Sequence, residues 1–229
     1  MFPIGDDNEE SGFAFVTISL ILINGLAFLF EINRPTDAHV QAFITAWGVV
    51  PREYSAGVDL PPRIPYPVWT TLLTSMFLHG GWGHLGGNML FLWIFGDNIE
   101  HRIGHLRFIA FYLLCGLTAG VAHIVFNSNS AIPTVGASGA ISGILGGYLL
   151  MFPRNRVYVL TWGGVATVPA IFMLGLWIVT QLLSGVGEIA RTDDTGGVAY
   201  LAHIGGFVAG LVLAPILRAG RAAPRSRRS

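Results

Sequence analysis

Six long apolar runs leave this chain little choice of solvent. They cover residues 12–30, 83–99, 106–126, 137–152, 164–183 and 197–217. A helix needs about 20 mostly apolar residues to cross the roughly 30 Å hydrocarbon core of a bilayer. Backbone polar groups cannot be left unpaired there, so only helices and closed barrels span it. The chain is 11% charged, against about 25% in soluble domains, and its mean hydropathy is +0.60. The predicted fold is all-α: a polytopic membrane bundle of six transmembrane helices with a long membrane-associated loop between spans one and two.

Charge placement orients the bundle. Every basic residue is Arg. Arg102 and Arg107 flank the turn between spans two and three, Arg154 and Arg156 the turn between spans four and five, and Arg218, Arg221, Arg225, Arg227 and Arg228 lie at the C-terminal end. The positive-inside rule puts these on the cytoplasmic side. Residues 1–11 are then a cytoplasmic N-terminal segment, 12–218 the transmembrane domain and 219–229 a basic cytoplasmic tail. The acidic opening lacks the positive n-region of a signal peptide, so the first run is expected to remain as a span. The segment 31–68 holds Trp47 and amphipathic pieces such as Val40-Gln41-Ala42-Phe43-Ile44, which suit the membrane interface. Trp47, Trp69, Trp82 and Trp93 read as interface anchors or packing groups.

Formal net charge is +0, which excludes the basic face of a nucleic-acid binder. The lone Cys115 sits in an apolar run and reads as a small buried hydrophobe. There is no His-Glu-x-x-His pattern, so no metal and no cofactor is expected. His39, His79, His101, His105 and His123 read as structural or solvated.

Polar residues inside the runs are the informative ones, because they are costly in the membrane and normally face the bundle interior. Spans two, four and six all run from outside to inside. Ser138 lies fifteen positions before Pro153 and His203 fifteen before Arg218, each roughly 22 Å above the cytoplasmic edge at 1.5 Å per residue. Asn88 and His84, measured from Glu100, come out at roughly 18 and 24 Å. Four polar side chains thus fall in one layer, and His84 and Asn88, spaced i,i+4, share a helix face. Gly139, Gly143 and Gly147 on span four, and Ala202, Gly206 and Gly210 on span six, form small-residue faces that let backbones approach closely.

The chemistry that fits this layer is acyl transfer. Serine is a poor nucleophile until a base takes its proton, and histidine titrates near working pH. Donors for an oxyanion would be the Ser138 backbone N–H, at a helix N-terminus, and the side chains of Asn88 and His84. Spans two, four and six carry no carboxylate at this depth, which points to a Ser–His dyad.

These residues carry a resemblance. His84-Leu85-Gly86-Gly87-Asn88, Gly136-Ala137-Ser138-Gly139 and Ala202-His203-Ile204-Gly205-Gly206 resemble, in order and position, the motifs of rhomboid intramembrane serine proteases of the six-span bacterial type. Phe2-Pro3-Ile4-Gly5-Asp6-Asp7-Asn8 resembles the start of many bacterial members, and Glu100-His101-Arg102-Ile103-Gly104 a structural feature at the base of span two. The resemblance implies a serine endopeptidase that cleaves transmembrane segments of other membrane proteins near the outer face. It implies Ser138 as nucleophile, His203 as base, and an oxyanion site of His84, Asn88 and the Ser138 amide. It also implies a half-sunk hairpin after span one, and span five with its following loop as gate and cap. The implied setting is the bacterial inner membrane, both termini cytoplasmic, with lipid and transmembrane substrates as partners. At the fourth position after the nucleophile, where members often carry an aromatic residue against the histidine, this chain has Ser142. The competing readings are a silent rhomboid-like escort protein or a small transporter; the chain keeps both Ser and His, and shows no repeated halves of the transporter kind.

Overall fold

The computed structural model describes residues 2–8, 12–189 and 199–219. Residues 190–198, in the expected charged connection before span six, and residues 220–229, in the expected basic C-terminal segment, lie outside the described residues. A strand β1 (Phe2–Asp6) precedes α1 (Phe15–Ile32). The segment after α1 folds into α2 (Asp37–Trp47), started by Thr36, whose hydroxyl accepts from the His39 N–H, and α3 (Pro51–Ala56), ended by Gly57 at φ 65°. A short α4 (Thr71–Thr74) lies between two tight helical turns. Then come α5 (Trp82–Ile103), α6 (His105–Phe126), α7 (Ser138–Met151), strands β2 (Arg156–Thr161) and β3 (Gly164–Pro169), α8 (Ala170–Ile189) and α9 (Tyr200–Arg218).

Among the described residues four helices, α1, α6, α8 and α9, are long and apolar enough to cross a membrane. Helix α5 has 22 residues and is more polar; α7 has only 14. Those 14 residues are largely buried on every side, with Ile144 and Tyr148 fully so, as expected of a helix ringed by others. Outward faces of the remaining helices carry Leu22, Leu26, Val121, Val125, Leu176, Leu183, Val212 and Ile216, all exposed.

The all-α expectation needs a correction. β1, β2 and β3 form a three-stranded antiparallel sheet in that order. Arg156-Val157-Tyr158-Val159-Leu160-Thr161 alternates as a strand does: Val157 and Val159 are fully buried while Tyr158 and Leu160 are exposed. The expected fifth span, 164–183, is displaced as well. Its first residues, Gly164–Pro169, form β3, and the helix starts at Ala170. Apolarity hid the strand inside the run; Pro169, which restricts the residue before it to extended backbone, was the boundary signal.

The sheet is tied to the bundle through Asp6. Its carboxylate accepts from Asn98 Nδ2 at 3.1 Å and from the Tyr148 hydroxyl. Two residues farther along α5, Glu100 accepts from the N–H groups of Val16 (2.8 Å) and Thr17 (2.7 Å), two orphan donors of the α1 N-terminus. It also accepts from Thr17 Oγ1 and pairs with His105 Nδ1 at 2.5 Å.

Burial lifts the Asp6 carboxyl above its usual range, outweighing the hydrogen bonds from Tyr148, Asn8 and Asn98, and Asp7 pushes the same way. A raised folded-state value favours the protonated form. Its stabilising contribution is complete below the unfolded value of about 4 and is lost as pH rises through the folded one. Thermal unfolding in detergent should show Asp6→Asn gaining on the wild type between pH 4 and pH 7. A constant difference across that range would remove Asp6 as the source.

Candidate active site

The site is built where α7 begins. The loop before it is pinned at several points. Val49 and Thr134 exchange both backbone hydrogen bonds at 3.0 and 2.8 Å, Arg52 N–H reaches Ser130 O, and Thr134 Oγ1 lies 2.7 Å from His123 Nε2. Gly136 sits at φ 125°, a conformation open to glycine, and its N–H donates to Ser75 O at 2.8 Å. The chain then turns into α7, whose first residue is Ser138. The leading N–H groups of a helix have no partner within it and carry its positive dipole end.

Helix α9 brings the histidine. Gly206 and Gly210 have no room for a Cβ: one at Gly206 would meet Gly139 C at 2.9 Å, and one at Gly210 would meet Gly143 Cα at 2.7 Å. The small-residue face of α7 works in two directions. The carbonyls of Gly139 and Gly143 lie against α9, while their missing side chains make room for Ala119 and Cys115 of α6. Cys115 is buried and free. At this closeness His203 Nε2 lies 2.9 Å from Ser138 Oγ.

Sequence reasoning missed the residues that hold the imidazole. His203 Nδ1 lies 2.8 Å from Gln181 Oε1, on α8. Trp177, one turn earlier on the same helix, lies against the ring, with centroids 6.0 Å apart and planes 32° apart. Ser142, which stands at the position where the resemblance implies an aromatic support, donates its hydroxyl to Ser138 O at 2.7 Å and is 1% exposed. The histidine's support comes from α8 in place of α7. A signal existed: Gln181 is the only amide side chain in the apolar stretch Ala170–Gly187, and buried amides in such helices seek partners.

His84 and Asn88 lie on the other side of the loop. A Cβ at Gly136 would fall 2.8 Å from His84 Nε2 and 3.5 Å from Asn88 Nδ2, so both reach the backbone two residues before the serine. Asn88 is 8% exposed, and its amide nitrogen has no hydrogen-bond partner among the described residues. A buried donor left open in this way is costly unless something fills it. The His79 ring is fully buried and packs edge-on against His84 at 5.2 Å. The His79 backbone N–H donates to Glu31 Oε2 at 2.9 Å, a carboxylate from α1 that the sequence reading did not bring to this end of the bundle. Beside Ser138 a small cavity is lined by Ser75, His123, Thr134, Gly136 and Gly139. Among the described residues no group of three His, Cys, Asp or Glu side chains could hold a metal ion.

Lipid-facing helices wrapped around a Ser–His contact define an integral membrane protein with a polar centre inside its bundle. The chain belongs to the rhomboid family: the rhomboid-domain family model matches residues 67–220. It is 35% identical over 211 residues to Rhomboid protease GluP of Bacillus subtilis (strain 168), covering 92% of this chain and 36% of that protein. It is 33% identical over 147 residues to RHOMBOID-like protein 5 of Arabidopsis thaliana, covering 64% of this chain and 43% of the relative. Against Rhomboid protein 1, mitochondrial, of Saccharomyces cerevisiae the identity is 27% over 146 residues, 62% of this chain and 40% of the relative. The chain spans about a third to a half of the length of these curated relatives.

Proposed function

We propose that this protein is an intramembrane serine endopeptidase that cleaves transmembrane segments of other membrane proteins with a Ser138–His203 dyad. The observation that carries the reading is the 2.9 Å contact between Ser138 Oγ and His203 Nε2. A silent relative has no need to keep that geometry beside an unfilled amide donor.

In this reading His203 Nε2 takes the Ser138 proton as Oγ bonds to the scissile carbonyl carbon. The carbonyl oxygen becomes an oxyanion, met by the Ser138 N–H, Asn88 Nδ2 and His84. Collapse breaks the C–N bond, and His203 returns its proton to the leaving amine. A water then attacks the acyl-enzyme ester with His203 again as base, releasing the new carboxylate and restoring Ser138. The cavity lined by Ser75, His123 and Thr134 offers a polar place for such a water.

The membrane arrangement belongs to the same proposal. Helices α1, α5, α6, α7, α8 and α9 are the six spans, in a bacterial inner membrane with both termini cytoplasmic. Ser138 then lies roughly 22 Å above the cytoplasmic edge, toward the outer face. The segment 31–68 rests at the outer interface, and β1–β3 cover the cytoplasmic end.

The test is cleavage of a fluorescently labelled single-span protein by purified enzyme in detergent. Wild type should release two fragments and Ser138→Ala none; equal cleavage by both would end the proposal. For the oxyanion role, Asn88→Ala should lower kcat on the order of ten- to a hundredfold with little change in KM. An unchanged kcat would take Asn88 out of the site.

A further inference from the structure

A lone imidazole beside a serine has two neutral tautomers, and only the one protonated on Nδ1 leaves Nε2 able to accept the Ser138 proton. The group that faces Nδ1 is the side chain of Gln181. Its Oε1 lies 2.8 Å away and can only accept, so Nδ1 carries the hydrogen and Nε2 is the acceptor toward Ser138. Gln181 is 9% exposed and lies on α8. Trp177, at i−4 on the same face, limits rotation of the ring.

Helix α8 is also the least enclosed of the four long apolar helices. Of its most apolar window 17% of residues are buried, against 33% to 39% in α1, α6 and α9. One turn beyond Gln181, Gly185 rests directly on α9: a Cβ there would meet Ile204 Cδ1 at 3.1 Å and Leu201 Cδ2 at 3.3 Å. Gly185 therefore sets how close α8 comes to α9, and with it whether Gln181 reaches His203.

We propose that Gln181 is the positioning residue for His203: its amide oxygen holds the imidazole in the Nδ1–H tautomer that leaves Nε2 free for Ser138, and it makes that tautomer depend on the seating of α8 on α9. The proposal rests on the reading of Ser138 and His203 as the catalytic pair, but its first readout does not need turnover.

Nitrogen NMR of the full chain in detergent, with labelled histidine and His203→Ala identifying the signal, reports the tautomer directly. Wild type should show Nδ1 protonated. Gln181→Leu, which keeps the volume and removes the acceptor, should mix the two tautomers. Gly185→Leu keeps Gln181 but wedges α8 away, and should do the same. A wild-type ring protonated on Nε2, or an unmixed ring in Gln181→Leu, would overturn the positioning role. An unmixed ring in Gly185→Leu would overturn the link to α8.

The second readout is the rate at which a fluorophosphonate labels Ser138, as a function of pH. Gln181→Leu should label at least tenfold more slowly. Gln181→Glu, with a carboxylate to hold the imidazolium, should restore acceptance from Nδ1–H and move the acidic limb of the profile to higher pH. The other titratable groups acting on His203 are His84 and His123, present in every variant, so they do not produce a difference between them. Superimposable profiles for wild type, Gln181→Leu and Gln181→Glu would contradict the role. Loss of substrate cleavage in Ser138→Ala but unchanged tautomers in Gln181→Leu would sink this proposal alone. A wild type that never cleaves, with the tautomer shift intact, would sink only the protease reading.

Discussion

Gly210→Leu is expected to reduce activity at least a hundredfold while leaving the helices formed. A Cβ at this position would fall on the backbone of Gly143, with the Gly143 Cα only 2.7 Å away. Backbone in the middle of a buried helix cannot swing aside as the end of a side chain can, so α7 and α9 must part. Overpacking of a core costs about 1–3 kcal/mol even where side chains give way, and here they cannot. Position 210 lies two turns from His203, and a shift of about 1 Å in a catalytic group can cost on the order of a hundredfold in rate. The Ser138–His203 contact is the part of the site that this shift breaks first. The control is Gly25→Ala on α1, where nothing lies within 4 Å of the new methyl. Circular dichroism and cleavage assays on both variants check the claim; similar activity in the two would contradict the packing account.

His203→Ala should lower kcat on the order of a thousandfold or more. Among the described residues, no other imidazole or carboxylate is hydrogen-bonded to Ser138 Oγ. Asn88 and the helix N-terminus stay in place, so substrate binding and oxyanion contacts survive and KM should change little. The pattern to look for is a loss confined to kcat, measured with the same single-span substrate. A loss mainly in KM would mean that His203 binds substrate and does not move protons.

The central layer was readable from the sequence because depth along a helix is simple arithmetic. Ser138, His203, His84 and Asn88 are carried by helices that keep a fixed rise per residue, so counting from charged ends put them at one level. The glycine positions on α7 and α9 supplied the second clue, although the glycines of α7 also make room for α6. Rotation about the helix axis and side-to-side placement were not readable. Gln181 stood out as the one amide of its run, but its partner did not: that it faces His203, with Gly185 one turn on lying against Leu201 and Ile204, is a tertiary fact. Counting only the three parallel spans also kept α8 out of view. The small sheet was missed for a different reason: Gly164–Pro169 is as apolar as a membrane span, and Val157 and Val159 point inward from a strand too short to stand out. Ser142 signalled that the histidine's support had changed, but not where the replacement lay.

The most direct test of the account is the site and rate of fluorophosphonate labelling of the purified protein. Mass spectrometry should place a single adduct on the peptide that contains Ser138. The rate should fall at least a hundredfold in His203→Ala and labelling should vanish in Ser138→Ala. An adduct on another residue, or equal labelling of wild type and His203→Ala, would contradict a serine activated by His203.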